Sequence, residues 1–409
     1  MTKKYAEEIE QAYTVITVME EAQRCLLCHD APCSESCPAG TDPGKFIRSV
    51  RFRNFKGAAE TIRENNALGG ICARVCPTER YCQKACSRCG IDRPIDIGGI
   101  QRFVTDFEAR ANMHILRKGE AIGKKIAVVG SGPSGLQAAA SLLQMGYEVD
   151  IYDKNAKAGG YLRYGIPQYR LPNEVVDKEI EHIAELGAQF KLGVTVGKDV
   201  TMDELKAKYD AVLLAIGFSA PKVLPMFEGS EIVETAVSFL ARVKESKGEV
   251  ELPQNIVVIG GGDVAMDVVT TLKVLGVKNV TDVVYEEFHE FLASKKELRG
   301  AQELGVTIID GYIPAEFADH TVTFKHRHID SVLKIKTDKV ILAVGQKAEA
   351  ENLGVELVKN EVTFDGYKTP DAKVFVTGDI AHGDKTVVYA VRKGKEAAAA
   401  IHESLGGNK

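Results

Sequence analysis

The sequence contains no long hydrophobic run, no basic block and, after Cys89, no cysteine. Its apolar stretches, such as residues 211–216 and 340–344, are strand-sized and far short of the ~18 residues that a membrane-spanning helix needs. We therefore expect neither an integral membrane protein nor a membrane partner. The net charge is −5 and Lys and Arg form no tail, so the chain offers no electrostatic footprint for a nucleic acid.

Two further absences concern export and thiol chemistry. The chain opens MTKKYAEEIE, with acidic residues and no apolar signal core, so we expect a cytoplasmic protein with reduced thiols rather than disulfides. Beyond Cys89 there is no redox dithiol, which excludes a reductase of the thioredoxin reductase type, and no thiol nucleophile. We predict no catalytic residue in this chain, which would work by positioning cofactors.

All nine cysteines lie in two runs with iron–sulfur spacing. The runs are Cys25-x2-Cys28-x4-Cys33-x3-Cys37-Pro38 and Cys72-x3-Cys76-Pro77-x5-Cys82-x3-Cys86-x2-Cys89. In bacterial two-cluster ferredoxins the cysteine before Pro ligates the other cluster, and both Cys-Pro pairs fit that pattern. Cys-x2-Cys pairs also bind structural zinc, but zinc does not need two interleaved Cys-Pro runs. The spacing predicts two clusters and leaves Cys72 and Cys89 open as the eighth ligand.

The rest of the chain alternates strands and helices, which indicates an α/β protein. Residues 1–118 are predicted to be helices around the cysteines. In this part, Thr41-Asp42-Pro43 opens one amphipathic segment over 45–64, and a second helical pattern covers 98–110. With 409 residues and 45% hydrophobic residues, about three domains are expected.

The first nucleotide motif follows an apolar strand over 125–130. It reads Gly130-Ser131-Gly132-Pro133-Ser134-Gly135 and leads into a helix over 136–145. These glycines permit a tight turn and a close approach to a pyrophosphate, which would lie at the helix N-terminus. A second strand over 148–152 ends at Asp153, whose carboxylate can accept a bond from a ribose hydroxyl.

The same motif recurs as Gly260-Gly261-Gly262-Asp263-Val264-Ala265, between strands over 256–259 and 280–285. Ala265 stands at the last small position, which the fingerprint tolerates. The second strand ends at Tyr285-Glu286-Glu287, where a binder of the 2′-phosphate would need an arginine. Glu286 or Glu287 would repel that phosphate and accept a bond from a free 2′-hydroxyl. We therefore predict NADH rather than NADPH, and leave open which glutamate faces the ribose.

A third element lies near the C-terminus, where a strand over 374–376 runs into Gly378-Asp379 and Thr386-Val387 opens a helix. A carboxylate at that turn can bind flavin hydroxyls, and helix amides can stabilise charge on the reduced ring. Together these elements predict an FAD-binding domain over 119–221 and 348–409 with an NAD(H)-binding domain, 222–347, inserted. The runs ending at Gly217 and Gly345 would be strands returning from each nucleotide domain.

The chain resembles a known family in three segments. RCLLCHDAPCSESCP (24–38), CARVCPTERYCQKAC (72–86) and PIDIGGIQRF (94–103) are similar to the N-terminal half of dihydropyrimidine dehydrogenase. The similarity covers essentially the whole chain and is closest to the bacterial NAD-dependent form, whose flavin and iron–sulfur subunit is separate. More distant relatives are the small subunit of glutamate synthase and bifurcating ferredoxin:NADP oxidoreductases.

The resemblance implies the ligands and contacts of each cofactor. One 4Fe-4S cluster would be held by Cys25, Cys28, Cys33 and Cys86, and the other by Cys37, Cys76, Cys82 and the side-chain oxygen of Gln101. With the motifs, the FAD contacts are predicted at Gly130, Gly132, Pro133, Ser134, Gly135, Asp153, Gly160, Tyr161, Arg170, Val196, Gly217, Gly378, Asp379, Thr386 and Val387. Those of NAD(H) are predicted at Gly260, Gly261, Gly262, Asp263, Val264, Glu286 and Gly345.

The resemblance also implies an activity. NADH would reduce FAD, and both clusters would carry electrons to a second subunit with FMN and further 4Fe-4S clusters, which reduces the C5=C6 bond of uracil or thymine. The chain would thus be the electron-input subunit of a hetero-oligomeric, NAD-dependent dihydropyrimidine dehydrogenase. The alternatives are the same module serving a glutamate synthase or bifurcating complex, and a zinc-bearing interaction protein that retains nucleotide folds.

Overall fold

The computed structural model describes residues 5–407, which fold into two compact units. The cysteine-containing unit comprises 10–162, 173–217 and 348–407, and the inserted unit comprises 5–9, 163–172 and 218–347. Within 5–407 no helix is both long and apolar enough to cross a membrane.

The helices are numbered along the chain. They are α1 (Val15–Gln23), α2 (Pro32–Glu35), α3 (Pro43–Arg51), α4 (Phe55–Asn65), α5 (Gly69–Val75), α6 (Ile97–Arg110), α7 (Pro133–Gln144), α8 (Tyr161–Tyr164), α9 (Asn173–Glu185), α10 (Met202–Lys208), α11 (Ala236–Glu245), α12 (Asp263–Val274), α13 (Lys295–Glu303) and α14 (Val387–Ser404).

The strands are numbered in the same way. They are β1 (Lys125–Val129), β2 (Glu148–Asp153), β3 (Gln189–Leu192), β4 (Ala211–Leu214), β5 (Ala220–Pro221), β6 (Val233–Thr235), β7 (Asn255–Ile259), β8 (Asn279–Val283), β9 (Thr307–Ile309), β10 (Tyr312–Ala318), β11 (Thr321–His326), β12 (Val332–Lys336), β13 (Lys339–Leu342), β14 (Gln346–Lys347), β15 (Leu357–Val358), β16 (Glu361–Val362) and β17 (Val374–Val376).

The segment around the cysteines is helical, as predicted, with one difference. The single helix expected over 45–64 is wrong, because α3 and α4 are separate helices. Arg53 adopts a left-handed φ of 58°, which ends the first of them. The side chain of Asn54 then caps the second by accepting a bond from Gly57 N. Apolar faces of these helices form one core around Phe46, Ile62 and Phe103.

Each unit is built on a parallel five-stranded sheet. In the cysteine-containing unit the strand order is β17-β4-β1-β2-β3, and in the inserted unit it is β6-β13-β7-β8-β9. Ligands bind such sheets beyond the carboxyl ends of the strands. The register pairs Val129 with Tyr152 and Leu214, so the first glycine turn and Asp153 lie at one such edge. The inserted unit also has an antiparallel sheet, β10-β11-β12, and a short pairing of β5 with β14.

A buried ion network joins three helices of the cysteine-containing unit. Arg63 of α4 donates through Nε to Glu108 of α6 at 2.9 Å and through Nη1 to Glu179 of α9 at 2.5 Å. All three side chains are almost fully buried. Glu179 Oε1 also accepts from Gly70 N at 2.9 Å, in the first turn of α5. The network therefore fixes α5, the helix that leads to Cys76, to α9, which packs against α7.

Candidate functional site

Four cysteines line one pocket of the helical segment. They are Cys25, Cys28, Cys33 and Cys86, which also share the pocket with Ile47, Ile95 and Ile97. The loop after α1 carries the first two, α2 carries the third, and the fourth lies far along the chain. The structure thus brings together the set that the resemblance implies for one cluster.

The thiols of this pocket oppose each other's ionisation. Burial raises the pKa of Cys25, and the neighbouring Cys86 and Cys28 raise it further. Burial likewise raises the pKa of Cys33 to about 11, with Cys25 and Cys86 adding to the shift. Because thiolates are the metal-binding form, such a set becomes stable as thiolates only beside cations. The donor chemistry fits an iron–sulfur cluster.

A second set gathers around Cys37. Burial raises the pKa of both Cys76 and Cys82, and each is raised further by the charge of Cys37. Cys72 is also buried close to Cys37, and burial raises its pKa to about 12. Cys89 lies apart from this set, because its side chain is exposed and its Sγ contacts Gln83 O at 3.3 Å. Of the two cysteines that spacing left open, only Cys72 is positioned as a fourth ligand.

Gln101 offers the alternative fourth ligand. It lies buried on α6, and its Nε2 donates to Gly69 O at 2.8 Å at the start of the helix that carries Cys72. With the amide nitrogen held in this way, Oε1 accepts no hydrogen bond from residues 5–407. The side-chain oxygen is therefore available to bind a cluster iron. Gln101 as the fourth ligand of this cluster stays a prediction, and Cys72 is the alternative.

The flavin turn connects β1 to α7. Gly130 has a φ of 107°, and a Cβ there would clash with the Ala215 carbonyl. At Gly135 a Cβ would clash with Gly130 O, so the helix can approach the strand only with glycine. In the described part of the chain no side chain caps α7 at Gly132, which leaves its first amides to a phosphate. Pro133 and Ser134 open this helix, and Gly160 lies against Gly132.

The two carboxylates predicted to bind the flavin nucleotide differ. Asp153 accepts bonds from Ser131 N and Oγ on one oxygen, and from Asn155 N and Nδ2 on the other. It therefore shapes the glycine turn directly. No residue of 5–407 donates a hydrogen bond to the carboxylate of Asp379. Just before it, Thr377 Oγ1 is buried without a partner in the same described range. These polar atoms fit a hydroxyl-bearing ligand such as ribitol.

Two lysines surround the Gly378-Asp379 turn. Lys393 Nζ donates to three carbonyls, Gly378 O at 3.2 Å, Ala381 O at 3.3 Å and Asp384 O at 3.1 Å. Burial raises the pKa of Asp379 to about 6, although Lys393 and Lys385 oppose the shift. Thr386 precedes α14 and Val387 begins it, with no side chain capping the first turn. The amides there are available to a reduced flavin ring.

Four predicted flavin contacts lie elsewhere. Val196 forms a bridge with Val200, and Gly217 turns with a φ of 59° after β4. Arg170 belongs to the inserted unit, where it pairs with Asp267 at 2.5 Å and Glu297 at 3.2 Å. Tyr161 begins the short helix α8. Their roles stay predictions.

Near the second glycine turn, in the inserted unit, Glu286 and Glu287 point in different directions. A Cβ on Gly261 would lie 2.6 Å from Glu286 Oε2, so that carboxylate faces the turn. Glu287 instead faces His289 at 3.8 Å and His328 at 3.7 Å. Asp263 lies between Gly262 and Val264, and its Oδ1 accepts a hydrogen bond from Ser294 N at 2.7 Å. The predicted contact Gly345 accepts a hydrogen bond from Lys222 N through its backbone oxygen. A Cβ on Gly260 would clash with Ala343 O.

Two residues near Cys37 and Cys82 were not predicted. Tyr81 precedes Cys82, and its hydroxyl donates to Asp384 at 3.0 Å and lies 3.4 Å from Thr386 Oγ1. Lys395 of α14 donates to Ala39 O at 2.8 Å, two residues after Cys37. The only signal for Tyr81 was its position beside a cysteine, and Lys395 gave none, because its partner is more than 350 residues away in the chain.

Comparisons with known proteins agree with this arrangement. The chain matches the family "dihydropyrimidine dehydrogenase domain II, 4Fe-4S cluster" over 2–113 and "pyridine nucleotide-disulphide oxidoreductase" over 124–397. It is 54% identical over 406 residues to the NAD-dependent dihydropyrimidine dehydrogenase subunit PreT of Escherichia coli strain K12, which covers 99% of this chain and 98% of that protein.

Two more distant similarities are informative. The small chain of the NADPH glutamate synthase of Escherichia coli strain K12 is 29% identical over 441 residues, with 96% of this chain and 93% of that one covered. The crystal structure of T. acidophilum thioredoxin reductase aligns with a TM-score of 0.56 at 21% identity, over 68% of this chain and 98% of its own. This last match concerns the fold alone. Together the matches confirm the predicted fold class.

Proposed function

The chain belongs to the pyridine nucleotide-disulphide oxidoreductases and, within them, to the PreT-type dihydropyrimidine dehydrogenase subunits, and from this premise we propose that it is the electron-input subunit of such an enzyme. It is an oxidoreductase with FAD, NAD(H) and 4Fe-4S cofactors, as predicted. When bound, FAD and the clusters would convert the two-electron hydride of NADH into single electrons for an FMN-containing partner that reduces uracil or thymine.

The observation that carries this proposal is the placement of both cysteine sets and the flavin turn in one compact unit. Helix α14 lies against Ser134, in the first turn of α7, through Gly394, and reaches the Cys37 loop through the next residue, Lys395. Tyr81 provides a second connection, from the residue before Cys82 to Thr386. A flavin and an iron–sulfur cluster held here would be fixed relative to each other by hydrogen bonds of this chain.

The chain's own residues bind and orient rather than react. The uncapped amides of α7 would hold the pyrophosphate of FAD, and those of α14 would stabilise negative charge on its ring. Glu286, which faces the second glycine turn, would accept a bond from the 2′-hydroxyl of NADH and repel a 2′-phosphate. No described group is needed as an acid or base toward a pyrimidine.

The proposal predicts a division of labour between subunits. The chain, purified without oxygen, should reduce an artificial dye with NADH and leave uracil unchanged. Uracil reduction should appear only when the FMN-containing partner is added. Anaerobic assays of dye reduction and of uracil consumption measure both arms. Uracil turnover by this chain alone, or faster reduction by NADPH than by NADH, would contradict the proposal.

Asp379→Asn should weaken FAD binding and stabilise the flavin-free protein. Because folding raises the pKa of this carboxyl from 3.8 to about 6, its ionised form is disfavoured in the folded state. Stability is therefore lost as pH rises from about 4 to about 6. Removing the charge should add about 1–2 kcal/mol at pH 7, less than the full shift because the side chain is partly open to water.

Urea unfolding of flavin-stripped protein at several pH values measures this effect, and flavin fluorescence measures retention. Asp371→Asn is the control of opposite sign. A backbone bond from Lys373, followed by the side-chain bond from Lys206, lowers the pKa of Asp371, so this variant should lose stability at neutral pH. If the Asp379→Asn protein retains FAD as tightly as the parent does, Asp379 is not part of the FAD site.

A further inference from the structure

An arginine lies at the ribose end of the second nucleotide site but is held by other groups. Arg327 follows β11, and its guanidinium stacks over the Tyr285 ring at 4.2 Å. Its Nη1 donates to Tyr285 O at 3.2 Å and to Glu290 Oε2 at 2.9 Å. Tyr285 directly precedes Glu286 in the chain. Arg327 therefore lies where dinucleotide-binding domains distinguish a 2′-hydroxyl from a 2′-phosphate.

Backbone hydrogen bonds connect the main chain of Arg327 to that of Glu286. Arg327 N donates to Gly311 O at 2.8 Å, and Gly311 N donates to Glu286 O at 3.1 Å. Glu286 extends from this point toward Gly261, whereas Glu290 reaches Arg327. The guanidinium and the Glu290 carboxylate are thus directly hydrogen-bonded, and Glu286 is connected to them through its backbone oxygen. The neighbouring Glu287 is turned toward His289 and His328 and does not contact Arg327.

We propose that Glu290 and Tyr285 sequester Arg327, and that this restraint, together with Glu286, sets the preference for NADH. An arginine near the ribose is what accommodates a 2′-phosphate in NADP-binding proteins. Here the guanidinium is neutralised by one carboxylate, and a second carboxylate stands in front of the glycine turn. Removing both negative charges would leave Arg327 free to pair with a 2′-phosphate. The inference rests on the proposed use of NADH.

The test compares four full-length, FAD-loaded proteins: the parent, Glu286→Gln/Glu290→Gln, the same double variant with Arg327→Gln, and Glu287→Gln. The probes are 5′-AMP and 2′,5′-ADP, whose dissociation constants are measured by calorimetry. The double variant should bind 2′,5′-ADP roughly 10- to 100-fold more tightly than the parent does, the range of a hydrogen bond between charged groups. The triple variant should lose that gain, and Glu287→Gln should behave as the parent.

The outcomes separate this inference from the proposed function. A double variant without the gain, or a triple variant that keeps it, would overturn the role of Arg327. Stopped-flow reduction of the parent's flavin by NADH and NADPH tests the premise independently. Faster reduction of the parent by NADPH would refute the proposed use of NADH, whatever the variants do.

Discussion

Replacing Cys82 by serine is expected to remove roughly half of the iron and inorganic sulfide, since one of two 4Fe-4S clusters would lose a ligand. Cys82 is buried beside Cys37 and close to Cys76. Water therefore cannot replace the lost thiolate as a cluster ligand. The flavin turn is built from other residues and should keep its FAD. Dye reduction by NADH should continue, while electron delivery to the FMN-containing partner should fall to background.

Cys89→Ser is the matched control for this experiment. It removes a thiol from the same segment, but one that is exposed and whose hydrogen-bond partners within residues 5–407 are only the backbone carbonyls of residues 83 and 84. Iron and sulfide analysis after anaerobic purification, with the flavin absorbance as reference, should show the parent's composition in this variant. Equal iron loss in both variants, or none in Cys82→Ser, would contradict the assignment of ligands.

Replacing Arg63 by leucine is expected to destabilise the protein by about 3–5 kcal/mol, the cost of leaving a buried charge without its partner. Two carboxylates, Glu108 and Glu179, would remain buried without the guanidinium that now donates hydrogen bonds to them and neutralises their charge. Burial already raises the pKa of Glu108, which Arg63 opposes. The variant should therefore bind a proton at Glu108 and unfold at lower urea concentration.

Glu64→Gln is the control that shows whether the loss of stability comes from the burial of the ion pair or from any change of charge in helix α4. Glu64 is the next residue on the same helix and pairs with Lys45 at 3.3 Å, but both side chains are exposed. An exposed pair contributes about 0–1 kcal/mol, so this variant should unfold close to the parent. Urea unfolding followed by circular dichroism measures both. A small effect of Arg63→Leu would mean that α4, α6 and α9 are held by apolar packing alone.

Local patterns predicted much of the fold. The two glycine turns, their flanking strands and the helix Ile97–Arg110 follow from residues that are close in sequence. The break between α3 and α4 was not predicted, because it depends on a left-handed Arg53, a conformation that sequence does not favour. The sequence also did not predict which of Glu286 and Glu287 faces the second glycine turn, because this depends on how the chain turns after β8.

Long-range contacts were the least predictable part of the site. Cys37 meets Cys76 and Cys82, and this pairing could be expected from the Cys-Pro pattern. In contrast, Arg327 lies 42 residues from Tyr285, and Glu179 lies 116 residues from Arg63. No periodicity or motif connects such pairs, since charged residues on a helix or loop are usually solvated. Only the tertiary structure shows which charges are buried together.

Helix α14 sets a fixed spacing within the cysteine-containing unit. Gly394 of this helix lies against Ser134 in the first turn of α7, and the next residue, Lys395, donates to Ala39 O in the Cys37 loop. Neighbouring residues of a helix are held at a fixed distance by its backbone hydrogen bonds. A flavin at the first glycine turn and a cluster at Cys37 would thus keep a constant separation, and with it a constant electron-tunnelling distance.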